Sequence, residues 1–179
     1  PNDANGWNQG ASQWIRCVRG KYLYSGAVIM SGGGKFGAGL SWNDNITYGS
    51  CDIAGVLSQP GGNIQVGDLS LYWAKLDLAL LTYELTPVTS VGAIGDFTDW
   101  GSQVNFTPSA DFKTWTGQIT IPEGKTGWKI RMNDNWDFNY GGDPNEPTFD
   151  GGNFNTGVGM FNVTVDFSGN YPKVDVQPL

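Results

Sequence analysis

Four of the eight tryptophans lie in polar loops, where the neighbouring residues do not predict that an indole is buried. They share glycine, asparagine and aspartate neighbours, and they are Trp7, Trp42, Trp100 and Trp136. An indole that stays at the surface presents an apolar face on which the C–H groups of a pyranose ring can stack. The loop tryptophans therefore indicate sugar binding.

The stretch GWKIRMNDNWDFNYG, at residues 127–141, would position the second pair of these tryptophans. Apolar Trp128, Ile130 and Met132 alternate with polar side chains, which predicts a strand with one buried and one solvated face. A turn at 133–135 then leads to Trp136. The candidate ligand-binding residues of this region are Trp100, Trp136, Lys129, Arg131, Asn133, Asn135 and Tyr140.

Other tryptophans lie within predicted strands. Trp115 and Trp128 are in phase with the apolar faces of their strands, so core packing is expected for both. Trp73 is out of phase with the apolar face of its strand and is expected at a sheet edge or in a contact between domains.

The sequence repeats itself with an offset of about ninety residues. Trp7 corresponds to Trp100 and Trp42 to Trp136. Further matches keep their order along the chain, and they are LYSGAVIM with TWTGQITI, Lys35 with Lys129, Tyr48 with Tyr140, GGN at 61–63 with GGN at 151–153, and LYWAKLDL with MFNVTVDF. The repeat predicts two copies of one fold, with Trp7, Trp42 and Lys35 as the candidate ligand residues of the first copy.

The two copies are predicted to occupy residues 1–86 and 87–179, joined by a short linker at 86–89. Short apolar strands between Gly, Asn and Asp turns predict an all-β fold with two β-sandwiches in tandem. Residues 90–97 are expected to form a strand whose counterpart in the first copy would lie before residue 1. The chain is therefore expected to be a piece of a longer protein, with a natural C-terminus after the closing strand VDV.

The charge of the chain narrows the choice of partner. The net charge of −7 argues against nucleic acid and against an anionic membrane surface. No run is long enough for a transmembrane helix, and residues 1–179 contain no signal peptide, although one could have been removed ahead of Pro1. Cys17 and Cys51 can form a disulfide or remain two thiols, since spacing alone does not decide.

Catalysis is not expected. The sequence has no histidine, so neither a Ser-His-Asp arrangement nor a histidine metal site is possible. Glycoside hydrolysis needs a pair of carboxylates, and none of the three glutamates lies at a repeated position. Asp77 and Asp166 do repeat, but within strands. The acids of 134–150 could hold Ca²⁺, yet they lack the spacing of a calcium loop. No cofactor and no metal are predicted.

The stretch WKIRMNDNWDFNYGG, preceded by GDFTDWG and followed by FDGGNF, resembles domains of the SusE/SusF-type outer-surface starch-binding lipoproteins of Bacteroidetes. It is also similar to the starch-associated accessory domain of some bacterial pullulanases, which carries a close K-x-R-x-N-x-x-W-x-x-x-Y-G stretch. The resemblance covers nearly the whole chain and is more specific in the second copy. It implies immunoglobulin-like β-sandwich domains that bind α-glucan without catalysis, through an arc of two aromatics and a basic residue.

The resemblance also implies which residues form that arc. In the second copy they are Trp100 and Trp136 with Lys129 or Arg131, and with Asn133 or Asn135 as amide partner. In the first copy Trp7, Trp42 and Lys35 match, while Gly37 and Gly39 stand where the second copy has Arg131 and Asn133. The first site is therefore expected to be weaker or silent.

The family setting implied by the resemblance is the bacterial outer membrane. Members of the family are lipid-anchored, face the cell exterior and work with a TonB-dependent transporter and a glycan-binding partner lipoprotein. Two alternatives remain open from the residues. The domains could be structural spacers without a ligand, in which case the loop tryptophans would be buried. They could also be accessory domains of a glycosidase.

Overall fold

The computed structural model describes residues 1–20, 22–39 and 42–179. The chain divides into two compact units, Pro1–Pro87 and Val88–Leu179. Strands dominate both units, so the predicted all-β class is confirmed. The helical segments of the described ranges are short 3-10 turns, and they are η1 (Asp3–Asn5), η2 (Gln9–Ala11), η3 (Asp44–Ile46) and η4 (Asp96–Thr98).

The first unit contains one four-stranded antiparallel sheet and several short strand pairs. Its strands are β1 (Arg16–Arg19), β2 (Leu23–Met30), β3 (Gly33–Gly34), β4 (Phe36–Gly37), β5 (Thr47–Ser50), β6 (Leu57–Ser58), β7 (Ile64–Gln65), β8 (Ser70–Asp77) and β9 (Thr82–Pro87). The larger sheet has the order β1-β2-β8-β9, and the smaller groups are β3-β7 and β4-β5-β6. Trp42 lies in the loop between β4 and β5 of one smaller group, whereas Trp7 lies between the 3-10 turns η1 and η2.

The second unit contains two larger antiparallel sheets. Its strands are β10 (Val91–Gly95), β11 (Val104–Asn105), β12 (Thr107–Pro108), β13 (Thr114–Ile121), β14 (Gly127–Met132), β15 (Asn135–Gly141), β16 (Thr148–Phe149), β17 (Phe154–Asn155), β18 (Gly159–Asp166) and β19 (Lys173–Pro178). One sheet has the order β11-β10-β14-β15-β16, with β17 also paired to β14, and the other has the order β12-β13-β18-β19.

Alternating side chains build the core of each unit. On β8, Tyr72, Ala74 and Leu76 face a cluster that also contains Val28. Trp73 is fully buried as well, so its predicted place at a sheet edge is wrong. The reason is that β8 lies between β2 and β9 and is covered on both of its faces over this stretch.

The strand predicted at 90–97 is shorter than expected. Strand β10 ends at Gly95, and Asp96 begins the 3-10 turn η4. The Thr98 hydroxyl accepts the Gly95 amide N–H at 3.2 Å, which fixes this turn. The turn that follows β10 leads directly to Trp100.

A two-residue turn joins β14 to β15 and places Trp136. Asn133 and Asp134 have φ angles of 52° and 51°, the left-handed conformation that both central positions of a type I′ turn require. Met132 pairs with Asn135 across this hairpin. Trp136 is therefore the second residue of β15 and emerges beside the turn.

Close approach of two backbones explains the repeated Tyr-Gly and Gly-Gly-Asn motifs. A Cβ atom on Gly141 would collide with the carbonyl oxygen of Gly152, and one on Gly49 would collide with that of Gly62. The same contact therefore recurs in the two units. It brings the end of β15, or of β5, against the loop that carries the Gly-Gly-Asn motif.

The cysteines are not joined, although Cys17 and Cys51 both have some exposure. Within the described ranges, no helix has the length and apolar character needed to cross a membrane. The same residues contain no group of three or more side chains suited to hold a metal ion.

Candidate functional site

Each unit brings its two loop tryptophans together as a pair. The ring centroids of Trp100 and Trp136 are 5.9 Å apart with planes inclined by 37°. Those of Trp7 and Trp42 are 5.9 Å apart with planes inclined by 38°. Trp136 is 44% exposed and Trp42 52% exposed, while Trp7 and Trp100 are partly exposed. Both units thus hold two adjacent indoles at the surface in nearly the same geometry, and we refer to each as a tryptophan pair.

A carboxylate anchors the first indole of the second pair. Asp96 accepts the Trp100 indole N–H at 2.8 Å with one oxygen and the Gly127 amide N–H at 2.9 Å with the other. Gly127 is the first residue of β14. The carboxylate therefore ties the ring to the strand that carries Lys129 and Arg131.

The first unit repeats this anchor. Asp3 accepts the Trp7 indole N–H at 2.6 Å and the Gly33 amide N–H, at the start of β3, also at 2.6 Å. In each unit the anchored tryptophan has a left-handed backbone, with a φ of 61° at Trp7 and 56° at Trp100. Such values are uncommon for a large residue and persist only where the surroundings enforce them. The double hydrogen bond and the turn supply that enforcement.

The anchoring hydrogen bonds stabilise the ionised carboxylates. At Asp96 the Trp100 indole, the Gly127 amide and the nearby charge of Lys125 lower the pKa of the carboxyl below its ordinary value. At Asp3 the Gly33 amide and then the Trp7 indole lower the pKa in the same direction. Both anchors are therefore fully charged at neutral pH.

Arg131 lies behind Trp136 and supports it. The guanidinium carbon is 5.1 Å from the centre of the Trp136 ring, a cation–π distance. Nε donates to Gln103 Oε1 at 3.1 Å and a terminal nitrogen donates to Asp134 at 2.8 Å. Because the Arg131 side chain is only 5% exposed, the prediction of a solvated polar face does not hold at this position. Its charge is satisfied within the protein instead.

Lys129 is linked to Trp136 through Asn139, and 13% of its side chain is exposed. Its ammonium lies 3.3 Å from Asp150 and donates to the Asn139 side-chain oxygen at 3.4 Å. Asn139 is buried and donates to the Trp136 carbonyl oxygen at 2.7 Å. Lys129 therefore sits on the same polar network that holds the backbone of Trp136.

The two candidate asparagines have different environments. The Asn133 side-chain oxygen accepts the backbone N–H groups of Thr89 at 2.8 Å and Ser90 at 3.3 Å, so it holds the start of the unit. The Asn135 side-chain oxygen accepts the Asp137 N–H at 2.9 Å, and Asn135 is exposed beside Trp136. Asn135 is thus the better placed of the two to meet a ligand.

Tyr140 does not lie at the surface. It is only 5% exposed and pairs with Ile130 on β14 and with Phe149 on β16. Its ring therefore contributes to the core, and it is not available for stacking on a sugar.

Strand register shows which residues of the first unit stand at the matching positions. Gly37 pairs with Thr47 between β4 and β5, as Arg131 pairs with Asn139 between β14 and β15. The buried Thr47 hydroxyl donates to the Asn43 carbonyl oxygen at 2.8 Å, within the loop that follows Trp42. Lys35 precedes this pair as Lys129 precedes the other, and it is partly exposed.

Sequence reasoning missed the anchors and the supports of the pairs. The aspartate signal was present, because DANGW at 3–7 and DFTDW at 96–100 both place an aspartate four residues before the tryptophan. No comparable signal marks Gln103 or Asn139, which are brought to the site by sheet pairing and by the turn after β10.

The lowered pKa of Asp96 predicts that glycan binding by the second pair weakens at acid pH. A carboxyl whose folded pKa lies below its unfolded value contributes stability above the unfolded pKa, and this contribution is lost as the pH falls through the folded value. In a Trp42→Ala background, which isolates the second pair, glycan affinity is expected to be constant from pH 7 to pH 5 and to fall below about pH 4.

Asp96→Asn in that background tests the anchor directly. The amide keeps an acceptor for the indole but presents N–H donors to the Gly127 N–H, so affinity at pH 7 is expected to fall by a factor of about three. Titration calorimetry at pH 7, 5 and 3.5 gives both results. Asp99→Asn is the matched control, since exposed Asp99 accepts neither hydrogen bond. Unchanged affinity of Asp96→Asn at pH 7 would show that the anchor does not hold the ring.

No protein-family profile matches this sequence, and no curated protein matches it significantly. Among solved structures, the chain is similar to SusF from Bacteroides thetaiotaomicron, at 17% sequence identity and a TM-score of 0.43 over 97% of this chain. The match covers 46% of the SusF chain, so the present chain spans about half the length of that protein. A likeness at this level carries no argument about function.

Proposed function

We propose that the chain binds polysaccharide without catalysis, at the tryptophan pair of each unit. The observation that carries the proposal is the recurrence of one geometry in both units, with equal centroid distances and inclinations of 37° and 38°. Both units keep the anchoring aspartate and the exposed second indole. Retention of an exposed apolar pair is expected where a ligand covers it.

The expected affinity of one pair is modest. Stacking that removes about 100 Å² of apolar surface per ring contributes about 2.5 kcal/mol at roughly 25 cal/mol/Å². Two rings contribute about 5 kcal/mol before ordering costs are subtracted. Dissociation constants in the range of about 0.1 to 10 mM are expected for a single pair. Two such sites in one chain suit a polymer, because linked sites raise the effective concentration.

The inclination of the rings favours a curved glycan. Successive rings of an α-1,4-linked glucan turn progressively, so their apolar faces are inclined to one another, whereas a β-1,4-linked chain is flat and extended. Planes inclined by 37° and 38° fit the curved chain better. The sequence resemblance points to the same ligand, and we propose starch or another α-glucan, with Lys129 and Asn135 contacting sugar hydroxyls in the second unit.

The cellular setting of the proposal rests on the sequence resemblance. We propose from it that the protein lies at the bacterial outer membrane, lipid-anchored and facing the exterior. Its partners there would be a TonB-dependent transporter and a glycan-binding lipoprotein. A ligand-free spacer is the less favoured function, because it would bury the loop indoles, and Trp42 and Trp136 are 52% and 44% exposed.

A small glycan panel tests the proposal. Affinity electrophoresis in amylopectin should retard the wild-type chain, and calorimetry should give millimolar or tighter binding of maltoheptaose. Cellohexaose, which has flat β-1,4 linkages, is expected to bind at least fivefold more weakly. Absence of binding to all three glycans would overturn the proposed function. Equal binding of cellohexaose and maltoheptaose would overturn the assignment to α-glucan.

A further inference from the structure

Gln9 is a buried amide whose hydrogen-bonding capacity is unused. It follows Trp7 in the first unit and is 7% exposed. Among the residues that the structure describes, neither its side-chain nitrogen nor its side-chain oxygen has a hydrogen-bond partner. Buried amides are almost always paired, and an unpaired one costs free energy because it has lost its hydration. An orphan amide next to a tryptophan pair therefore points to a missing partner.

The second unit shows what that partner is when the protein supplies it. Gln103 follows Trp100 there, and its oxygen accepts Arg131 Nε at 3.1 Å while its nitrogen donates to Asn105 at 2.7 Å. The position of Arg131 is occupied by Gly37 in the first unit, as the strand register shows. A Cβ atom on Gly37 would lie 3.7 Å from the Gln9 nitrogen. Gln9 thus faces the place where the second unit has its arginine.

The space above Gly37 is open with respect to the described part of the chain. Gly37 itself is exposed, and besides the Gln9 amide a Cβ there would approach only one other described group, the Gly39 carbonyl oxygen at 4.0 Å. The first unit therefore keeps the inclined indoles but has, among the described residues, no side chain where the second unit has its buried guanidinium. A ligand group that entered over Gly37 would lie beside an amide able to donate and to accept at once.

We propose that the first unit is a second, chemically distinct sugar site, in which a pair of neighbouring hydroxyls of a neutral sugar enters over Gly37 and binds the Gln9 amide. This inference rests on the proposed function of the tryptophan pairs. Both amide atoms are shielded from solvent, so binding requires the groups that cover the Gln9 amide to shift and let the hydroxyls reach it. Vicinal hydroxyls suit the amide because one can accept from its nitrogen while the other donates to its oxygen. Binding at this site would run against the expectation from sequence that the loss of polar partners makes the first site weaker or silent.

The experiment isolates the first unit within the full chain by Trp136→Ala. Maltoheptaose is titrated into this variant, with calorimetry for the affinity and NMR for the side-chain amide signals of Gln9. We expect measurable binding and a saturable shift of the Gln9 signals. Gln9→Leu in the same background is expected to weaken binding about fivefold without lowering the thermal midpoint, because an unpaired buried amide is replaced by an apolar group. Gln9→Met provides a second substitution if the leucine variant does not fold.

The controls separate this inference from the proposed function. Gln177→Leu, which removes an exposed amide from β19, should leave the affinity of the Trp136→Ala chain unchanged. If the wild type binds maltoheptaose and Trp136→Ala does not, the first site is silent and the inference fails while the proposed function stands. The inference fails in the same way if Gln9→Leu binds as well as its parent, or if the Gln9 signals do not move. If the wild type binds no glycan, the proposed function fails and the inference with it.

Discussion

Trp136→Ala is expected to weaken maltoheptaose binding by the second unit about 70-fold, which corresponds to about 2.5 kcal/mol. Trp136 is the more exposed indole of its pair, at 44%. The substitution removes the whole apolar face on which a sugar would stack. The substitution is expected to lower the stability of the glycan complex but not the stability of the fold, because an exposed ring contributes little to the core. The measurement is calorimetry in a Trp42→Ala background, so that only the second pair reports.

Trp14→Ala provides the matched control for this loss. Trp14 is 41% exposed and belongs to neither tryptophan pair, so its removal takes away a similar indole without touching a proposed site. Binding should remain within a factor of two of the parent. If Trp136→Ala kept full affinity with an unchanged thermal midpoint, stacking on the second pair would be disproved.

The repeat made the pairing of the tryptophans predictable. Trp7 and Trp42 match Trp100 and Trp136 in order, and two loops that match in spacing on one fold tend to meet in the same way. What the repeat could not supply is the geometry of the pair. The inclination depends on a left-handed backbone at Trp100 and on the hydrogen bond to Asp96, and neither follows from periodicity.

Alternation predicted the buried face of β14 correctly and its other face incompletely. Trp128, Ile130 and Met132 are fully buried. The opposite face was expected to be wet because charged residues occupy it. Arg131 is nevertheless only 4% exposed, since the two-residue turn folds Trp136 back over it. A pattern of period two describes one strand, whereas the cover on a strand comes from residues distant in sequence.

Trp73 shows that strand periodicity is an incomplete guide to burial for an apolar residue as well. Its phase on β8 predicted a place at a sheet edge or in a contact between domains, but Trp73 is fully buried on a strand that lies inside its sheet. β8 lies between β2 and β9, so it is not an edge strand, and residues 71–74 are buried on both faces of the sheet. The cover on the second face is not visible in the periodicity of one strand. Gln9 could not be recognised from sequence either. Its significance appears only when the register places Gly37 where the second unit has Arg131.

Replacing Arg131 separates the support of the indole from the stability of the fold. Arg131→Met removes a cation–π contact worth about 0.5–2 kcal/mol and leaves the Gln103 oxygen without its donor, at a cost of about 1–3 kcal/mol. It also removes the desolvation penalty of a buried guanidinium, which is of several kcal/mol. The exposed Asp134, with 61% of its side chain accessible, returns to water at little cost. These opposing effects predict a change of unfolding free energy within about 1 kcal/mol.

Glycan affinity is expected to respond more strongly than stability, because the ring of Trp136 loses the planar group beneath it. A decrease of about tenfold is expected for Arg131→Met in the Trp42→Ala background, with a weaker near-UV circular dichroism signal from the paired indoles. Arg131→Lys keeps the charge but lacks the planar guanidinium, which stacks on the ring and donates to both Gln103 and Asp134. The glycan affinity of this variant should therefore fall nearly as far. If the lysine variant bound as well as its parent, positive charge alone would suffice at this position and stacking of the guanidinium would not hold the ring. If both variants bound normally, Trp136 would be positioned by its hairpin and by Asn139, whose side chain holds the Trp136 carbonyl oxygen at 2.7 Å.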